Sequence, residues 1–185
     1  MSIDSAKNNQ IVWNFPKTFV PDEITNRYEK YLNRVPGNMI TKPIDFINVG
    51  IQSVNFPGPS YEPVEQNDHP GSTIRKRSSE RWSSAFDRRL DITFKAFDGY
   101  LNYWMMLEIM EYYYCLDGSH PWIPEGIGLQ FHDGEGNIIV TAQMKEMIFT
   151  GMSDLNLDFS DNTAEFKTFT CNFIYNSLKI KINVD

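Results

Sequence analysis

Apolar and polar positions alternate most cleanly in "RLDITFKA", where Leu90, Ile92, Phe94 and Ala96 face one way and Arg89, Asp91, Thr93 and Lys95 the other. A period of two with one apolar face predicts a strand lying on a core. The stretch "LNLDFSDNTAEFKTFTCNFIY" alternates in the same way, pauses at Ser160-Asp161-Asn162-Thr163, and resumes as a run rich in Phe and Thr. It predicts a closing hairpin whose last strand sets Phe169, Cys171, Phe173 and Tyr175 on a core face and Thr168, Thr170, Asn172, Ile174 and Asn176 on the opposite one. A face that is small, polar and partly β-branched suits a wetted or self-mating sheet surface. Another hairpin is predicted in "LQFHDGEGNIIVTAQMKEMIF", turning at Asp133, Gly134, Gly136 and Asn137, residues that tolerate the positive φ of tight turns.

The period changes in "YLNYWMMLEIMEYYYCL". Tyr100, Tyr103, Trp104, Leu107, Met110 and Tyr114 form one helical stripe, and Met105, Met106, Ile109 and Tyr113 a second. This predicts a helix over 99–116, capped by Asp98 and apolar on nearly every side, so that it must be covered on more than one side. Upstream, "IDFINVGIQSVNF" is rich in Ile, Val and Phe and reads as a first strand ending at Pro57-Gly58-Pro59. Residues 57–88 lack sustained periodicity, carry the basic cluster Arg75, Lys76 and Arg77 near Trp82, and predict a projecting loop or hairpin. Residues 1–43 hold four prolines and one short helix, "PDEITNRYEKYLNRV", with Ile24, Tyr28, Tyr31, Leu32 and Val35 at helical spacing. With too few apolar residues for a core of its own, this segment reads as an arm laid on the main body or on another copy.

The resulting order predicts a mainly β (β+α) fold: an antiparallel β-sandwich or barrel flanked by one α-helix, with the arm at 1–43 and the body at 44–185. At 185 residues, 41% hydrophobic, 14% aromatic and 22% charged, the chain is long and apolar enough for one folded body. A net charge of -7 argues against a broad grip on a nucleic acid backbone. The polar opening "MSIDSAKNNQ" has no leader pattern, and no apolar run approaches the ~18 residues that span a bilayer. The expectation is a soluble, unsecreted protein made in a reducing compartment, with Cys115 and Cys171 as buried free thiols.

Candidate chemistry is sparse. "HDGEGN" has Asp133, Glu135 and Asn137 at alternate positions but lacks the glycine and distal glutamate of a calcium loop, and the turn explains its glycines. His69, His120 and His132 lack metal-ligand spacing and read as surface residues. No nucleophile elbow and no phosphate-binding glycine loop is present. The reading is of a protein that is not an enzyme and takes no cofactor or metal. The basic cluster fits a charged rim against an acidic surface of another subunit better than a nucleic acid contact, since it lacks interleaved aromatics.

The order of elements resembles the tube proteins of bacteriophage tails, particularly contractile ones, over about Ile44 to Leu178. The quoted strand, flap, strand and helix carry the resemblance, and "FTGMSDLNLDFSDNTAEFKTFTCNFIY" looks like that family's closing hairpin. The resemblance implies a structural virion protein forming stacked hexameric rings, a conduit through which DNA leaves the capsid without specific binding. Partners would be further copies of the chain and the tail sheath, baseplate and terminator proteins, with no membrane. Arg75, Lys76, Arg77, Trp82, Tyr28 and Tyr31 become candidate subunit contacts. Arg89, Asp91, Thr93, Lys95, Thr168, Thr170 and Asn172 become candidates for a water-filled channel whose negative potential keeps DNA from sticking. The long arm and the tail "KIKINVD" depart from the simplest members, leaving open a tube-initiating baseplate protein, a tail terminator, or the inner tube of a contractile injection system. A ligand-binding β-barrel is the alternative from another class.

Overall fold

The computed structural model describes residues 11–34, 39–60, 63–67, 74–78, 86–115, 123, 125–155 and 166–183. Strands β1 (Ile11–Asn14), β2 (Ile51–Val54), β5 (Arg89–Lys95), β6 (Gly128–His132), β7 (Ile138–Met152) and β8 (Thr168–Ile182) form a six-stranded sheet in the order β1-β6-β7-β8-β5-β2. Every pairing is antiparallel. The sheet curls into a nearly closed barrel with flanking helices, and β1 and β2 stand at its two edges. Strands β3 (Pro63–Asn67) and β4 (Ile74–Ser78) pair with each other in a separate two-stranded sheet. The helices are α1 (Asp22–Leu32), α2 (Pro43–Gly50) and α3 (Leu101–Cys115).

Alternation in β5 and β8 reaches the structure unchanged. Leu90, Ile92, Phe94, Phe169, Cys171, Phe173 and Tyr175 are all buried, and the intervening residues are not. The interior is filled with aromatic rings: Phe15 stacks on Phe19 at 4.2 Å between centroids, Phe94 on Phe169 at 5.3 Å and Phe149 on Phe173 at 4.5 Å. Phe15, Phe19, Val20, Ile24 and Tyr28 belong to this same core, so residues 15–28 are packed into the body rather than beside it. The segment is fastened by β1, which pairs with β6, and by the Phe15 amide, which donates to Asn48 Oδ1 at 2.9 Å.

Two local expectations fail for identifiable reasons. The run from Ile44 to Phe56 is not one strand: its first half is α2, and strand pairing starts only at Ile51. Pro43 occupies the first helical turn, where its missing N–H costs nothing and its fixed φ favours the helix. Pro43, Ile47 and Gly50 then share one buried face, and a Cβ on Gly50 would stand 3.2 Å from both Asn102 Nδ2 and the Phe97 ring. A further helix thus joins the one expected beside the sheet.

Nor does Asp98 cap α3. It sits inside a 3-10 turn, Asp98–Tyr100, which has no side-chain cap. Asn102 does the joining instead: fully buried, it accepts the Phe97 amide at 3.0 Å and donates to the Lys95 carbonyl at 2.7 Å.

The β6–β7 turn follows its sequence. Asp133 Oδ1 accepts the amides of Glu135 and Asn137, and Asn137 Nδ2 donates to Asp133 Oδ2 at 2.9 Å. These bonds, the Asn137 side chain first among them, hold the Asp133 carboxyl below its ordinary range. Beyond the turn, β7 changes the face it buries: Ala142 and Met144 are buried before Glu146, Met147 and Phe149 after it. Glu146 takes φ 54, a left-handed residue inside a strand. Alongside, Gly126 at φ +62 passes so close to β7 that a Cβ there would fall 1.6 Å from the Met144 carbonyl oxygen.

Candidate assembly surfaces

The two polar faces picked out from the sequence are one surface. The register pairs Arg89 with Ile174, Asp91 with Asn172, Thr93 with Thr170 and Lys95 with Thr168. Directly opposed residues on an antiparallel pair share a face, so all seven channel candidates lie together on the outer side of β5 and β8.

Hydrogen bonds knit this surface. Asn172 Nδ2 donates to Asp91 Oδ1 at 2.6 Å, and the Thr93 and Thr170 hydroxyls meet at 3.2 Å. From β7, Thr150 donates to the Asn172 carbonyl at 3.0 Å, and just beyond it Ser153 Oγ accepts the Thr170 amide at 2.9 Å. The Lys95 ammonium lies 3.4 Å from the centroid of the exposed Phe166 ring. The charged groups among the seven are Arg89, Asp91 and Lys95, so the acidity of the chain is not carried here.

A second surface is apolar. Met105, Met106 and Ile109 turn the second stripe of α3 into the core, whereas Trp104 (48%), Leu107 (41%) and Tyr114 (82%) leave much of the first stripe exposed. The junction of α1 with α3 is polar: Arg27 Nη1 lies 3.0 Å from Glu108 Oε2. Burial, reinforced by the charge and hydrogen bond of Glu108, pushes the Tyr28 phenol up to about 12. Tyr28 is therefore no surface contact. It shares the buried side of α1 with Ile24 and Leu32, four residues away in each direction, and only Tyr31, 54% exposed, is offered outward.

The basic cluster lies on β4, where Arg75, Lys76 and Arg77 stand opposite Gln66, Glu65 and Val64 of β3. Trp82 falls outside the described residues, as do His69, His120 and the Ser160–Thr163 pause. Cys171 is a buried free thiol, which burial pushes well above its ordinary value. His132 donates a ring N–H from Nδ1 to the Gly136 carbonyl at 3.1 Å within its own hairpin. Among the described residues, no group of three or more His, Cys, Asp or Glu could hold a metal ion, and no helix is long and apolar enough to cross a membrane.

Sequence reasoning missed the edges. β8 extends to Ile182, but its pairing with β5 ends at Ile174, leaving an overhang beside a groove of about 620 Å³. Its signal was the tail "LKIKI", whose alternation continues the strand beyond the family-like segment.

No family model matches the chain, and no curated protein matches it. Solved structures do. The tube-terminating cap of the anti-feeding prophage aligns with a TM-score of 0.57 at 11% identity, covering 99% of this chain and 95% of that one. A chain of the anti-feeding prophage baseplate, 6-fold symmetrised, aligns at 0.53 and 12% identity over 98% and 97%. A chain of the sheath-tube complex of an extracellular contractile injection system, in its extended state, aligns at 0.51 and 12% identity over 72% and 81%. The shared property is the fold: a nearly closed antiparallel barrel with flanking helices.

Proposed function

We propose that this chain is a structural component of a contractile tail or injection particle, placed at an end of its tube as a tube-terminating cap or a baseplate-side initiator. The observation that carries this reading is coverage. The likeness to the cap and to the baseplate chain runs through nearly the whole length of both partners, whereas that to the sheath-tube chain leaves more than a quarter of this chain unmatched. The integration of residues 15–28 into the barrel core supports it, because that segment is part of the folding unit.

In this reading the surface formed by Arg89, Asp91, Thr93, Lys95, Thr168, Thr170 and Asn172 lines a wet bore, and its polarity supports that role. The bore wall there carries both signs of charge, so passage relies on hydration rather than on negative potential alone. The outer stripe of α3 and Tyr31 provide apolar area for a neighbouring copy, and β4 with Arg75, Lys76 and Arg77 contacts the adjoining layer. Sheath and baseplate proteins are the expected partners, and the assembled particle is the location. DNA passage belongs to the phage-tail version of this role.

Negative-stain microscopy of the purified chain tests the reading. An end protein forms single rings or short stacks whose length does not grow with concentration. Long tubes growing with concentration would make it the repeating subunit, and persistent monomers at every salt and concentration would remove the assembly role.

A further inference from the structure

We propose that the overhang of β8 is a docking edge for an extended segment of a different polypeptide, one that alternates acidic and apolar residues. β5 begins at Arg89, opposite Ile174, whereas β8 continues to Ile182 with β7 along its other side as far as the Val140–Ile182 pair. Among the described residues, the last main-chain bond toward the β5 side is the Tyr175 amide donating to the Arg88 carbonyl at 3.0 Å, and the Tyr175 hydroxyl donates to the Asp87 carbonyl at 2.6 Å. Past it, among the described residues, the strand has a neighbour on one side only. Such an edge is a template for an added strand, with main-chain bonds providing affinity and alternate side chains providing choice.

The side chains define the guest. Lys179 and Lys181 are exposed and alternate with Ile180, 44% exposed, and Ile182, 67% exposed. The groove of about 620 Å³ beside them is lined also by Phe86, Arg88 and Tyr175. Arg88, Lys179 and Lys181 make no ion pair among the described residues, which leave this basic strip without a paired carboxylate although the net charge of the chain is -7. Cross-strand partners of opposite charge stabilise a sheet and like charges oppose it. Glutamates facing the two lysines and apolar residues facing the two isoleucines satisfy the edge. A symmetric pairing of two β8 overhangs would oppose basic strip to basic strip, which disfavours that self-association. The overhang is independent of the end-of-tube reading, since it needs no ring.

The test uses the full-length protein and a short fluorescent peptide alternating Glu and Val. Polarisation should show saturable binding, weakened roughly tenfold or more in the double variant Lys179→Glu/Lys181→Glu. Both positions are exposed, so circular dichroism and melting of the variant should match the wild type. Hydrogen exchange at residues 177–182 should slow with the peptide present. The proposal is overturned if no peptide binds, if a Lys–Val peptide binds as well, or if a version N-methylated at alternate residues binds equally. It also fails if sedimentation shows wild-type copies already joined through this edge and the double variant dissociates them, because the occupant is then a second copy.

Discussion

Asn172 of β8 donates its side-chain amide to the Asp91 carboxylate of β5 at 2.6 Å, across a pair of residues 81 positions apart. The bond locks together two polar faces that each strand presents separately. It is an exposed contact, so its net value is modest. A double-mutant cycle with Asp91→Ala and Asn172→Ala should give a coupling below about 1 kcal/mol in denaturant unfolding. A coupling of several kcal/mol would mean that the face is buried in the protein as purified, by association.

Asn102 has larger consequences. Its amide satisfies both the Phe97 N–H and the Lys95 carbonyl from a fully buried position. Asn102→Leu keeps the volume but strands both backbone groups, at a cost of about 2–4 kcal/mol in urea or guanidinium unfolding. A loss under about 0.5 kcal/mol would show that the junction of β5 with α3 is held by packing alone.

Glu146 adopts φ 54 where β7 switches its buried side. Glycine takes such a backbone without steric penalty, and a β-branched residue takes it worst. Glu146→Gly should match or exceed wild-type stability by up to about 1 kcal/mol, while Glu146→Val should lose more than about 1 kcal/mol. Equal melting of the two variants would place the origin of the switch elsewhere.

Alkaline pH should destabilise the fold through three tyrosines. Burial, as the first cause in each, raises Tyr28, Tyr113 and Tyr175 from 10.0 to about 12. The folded state therefore holds these protons more tightly than the unfolded chain does. Their contribution is complete below pH 10 and falls as the pH rises through 10 toward 12. The denaturation midpoint should be flat from about pH 7 to 9 and decline above about pH 10. The Tyr113 hydroxyl donates between the Thr18 and Phe19 carbonyls at 3.2 Å and 3.1 Å, and Tyr113→Phe should flatten that decline while lowering neutral-pH stability.

Much of the fold was legible before any coordinate. The faces of β5 and β8, the turn at Asp133–Asn137 and the helix over most of 99–116 all follow patterns short enough to read directly. The residues of α2 read as strand because a short run of Ile, Phe and Val is compatible with either buried helix or buried strand, and Pro43 at the helix start decides between them only with the tertiary packing. Tyr28 reads as a candidate subunit contact in the sequence, whereas its burial depends on α1 meeting α3 beside Glu108, far away in the chain.

Alternation alone decided which sides of β5 and of the paired part of β8 are apolar and which are polar, because neighbouring side chains on an extended backbone must point to opposite faces. Three things came only with the folded chain. One is the register that merges the faces of Asp91 and Asn172. Another is the docking of Phe15 and Phe19 into the barrel. The last is the edge of β8 past Tyr175, which has a strand neighbour on one side only among the described residues. All depend on contacts between segments distant in sequence, whose energies exist only once the chain has closed on itself, and no local pattern encodes where a strand's neighbour stops.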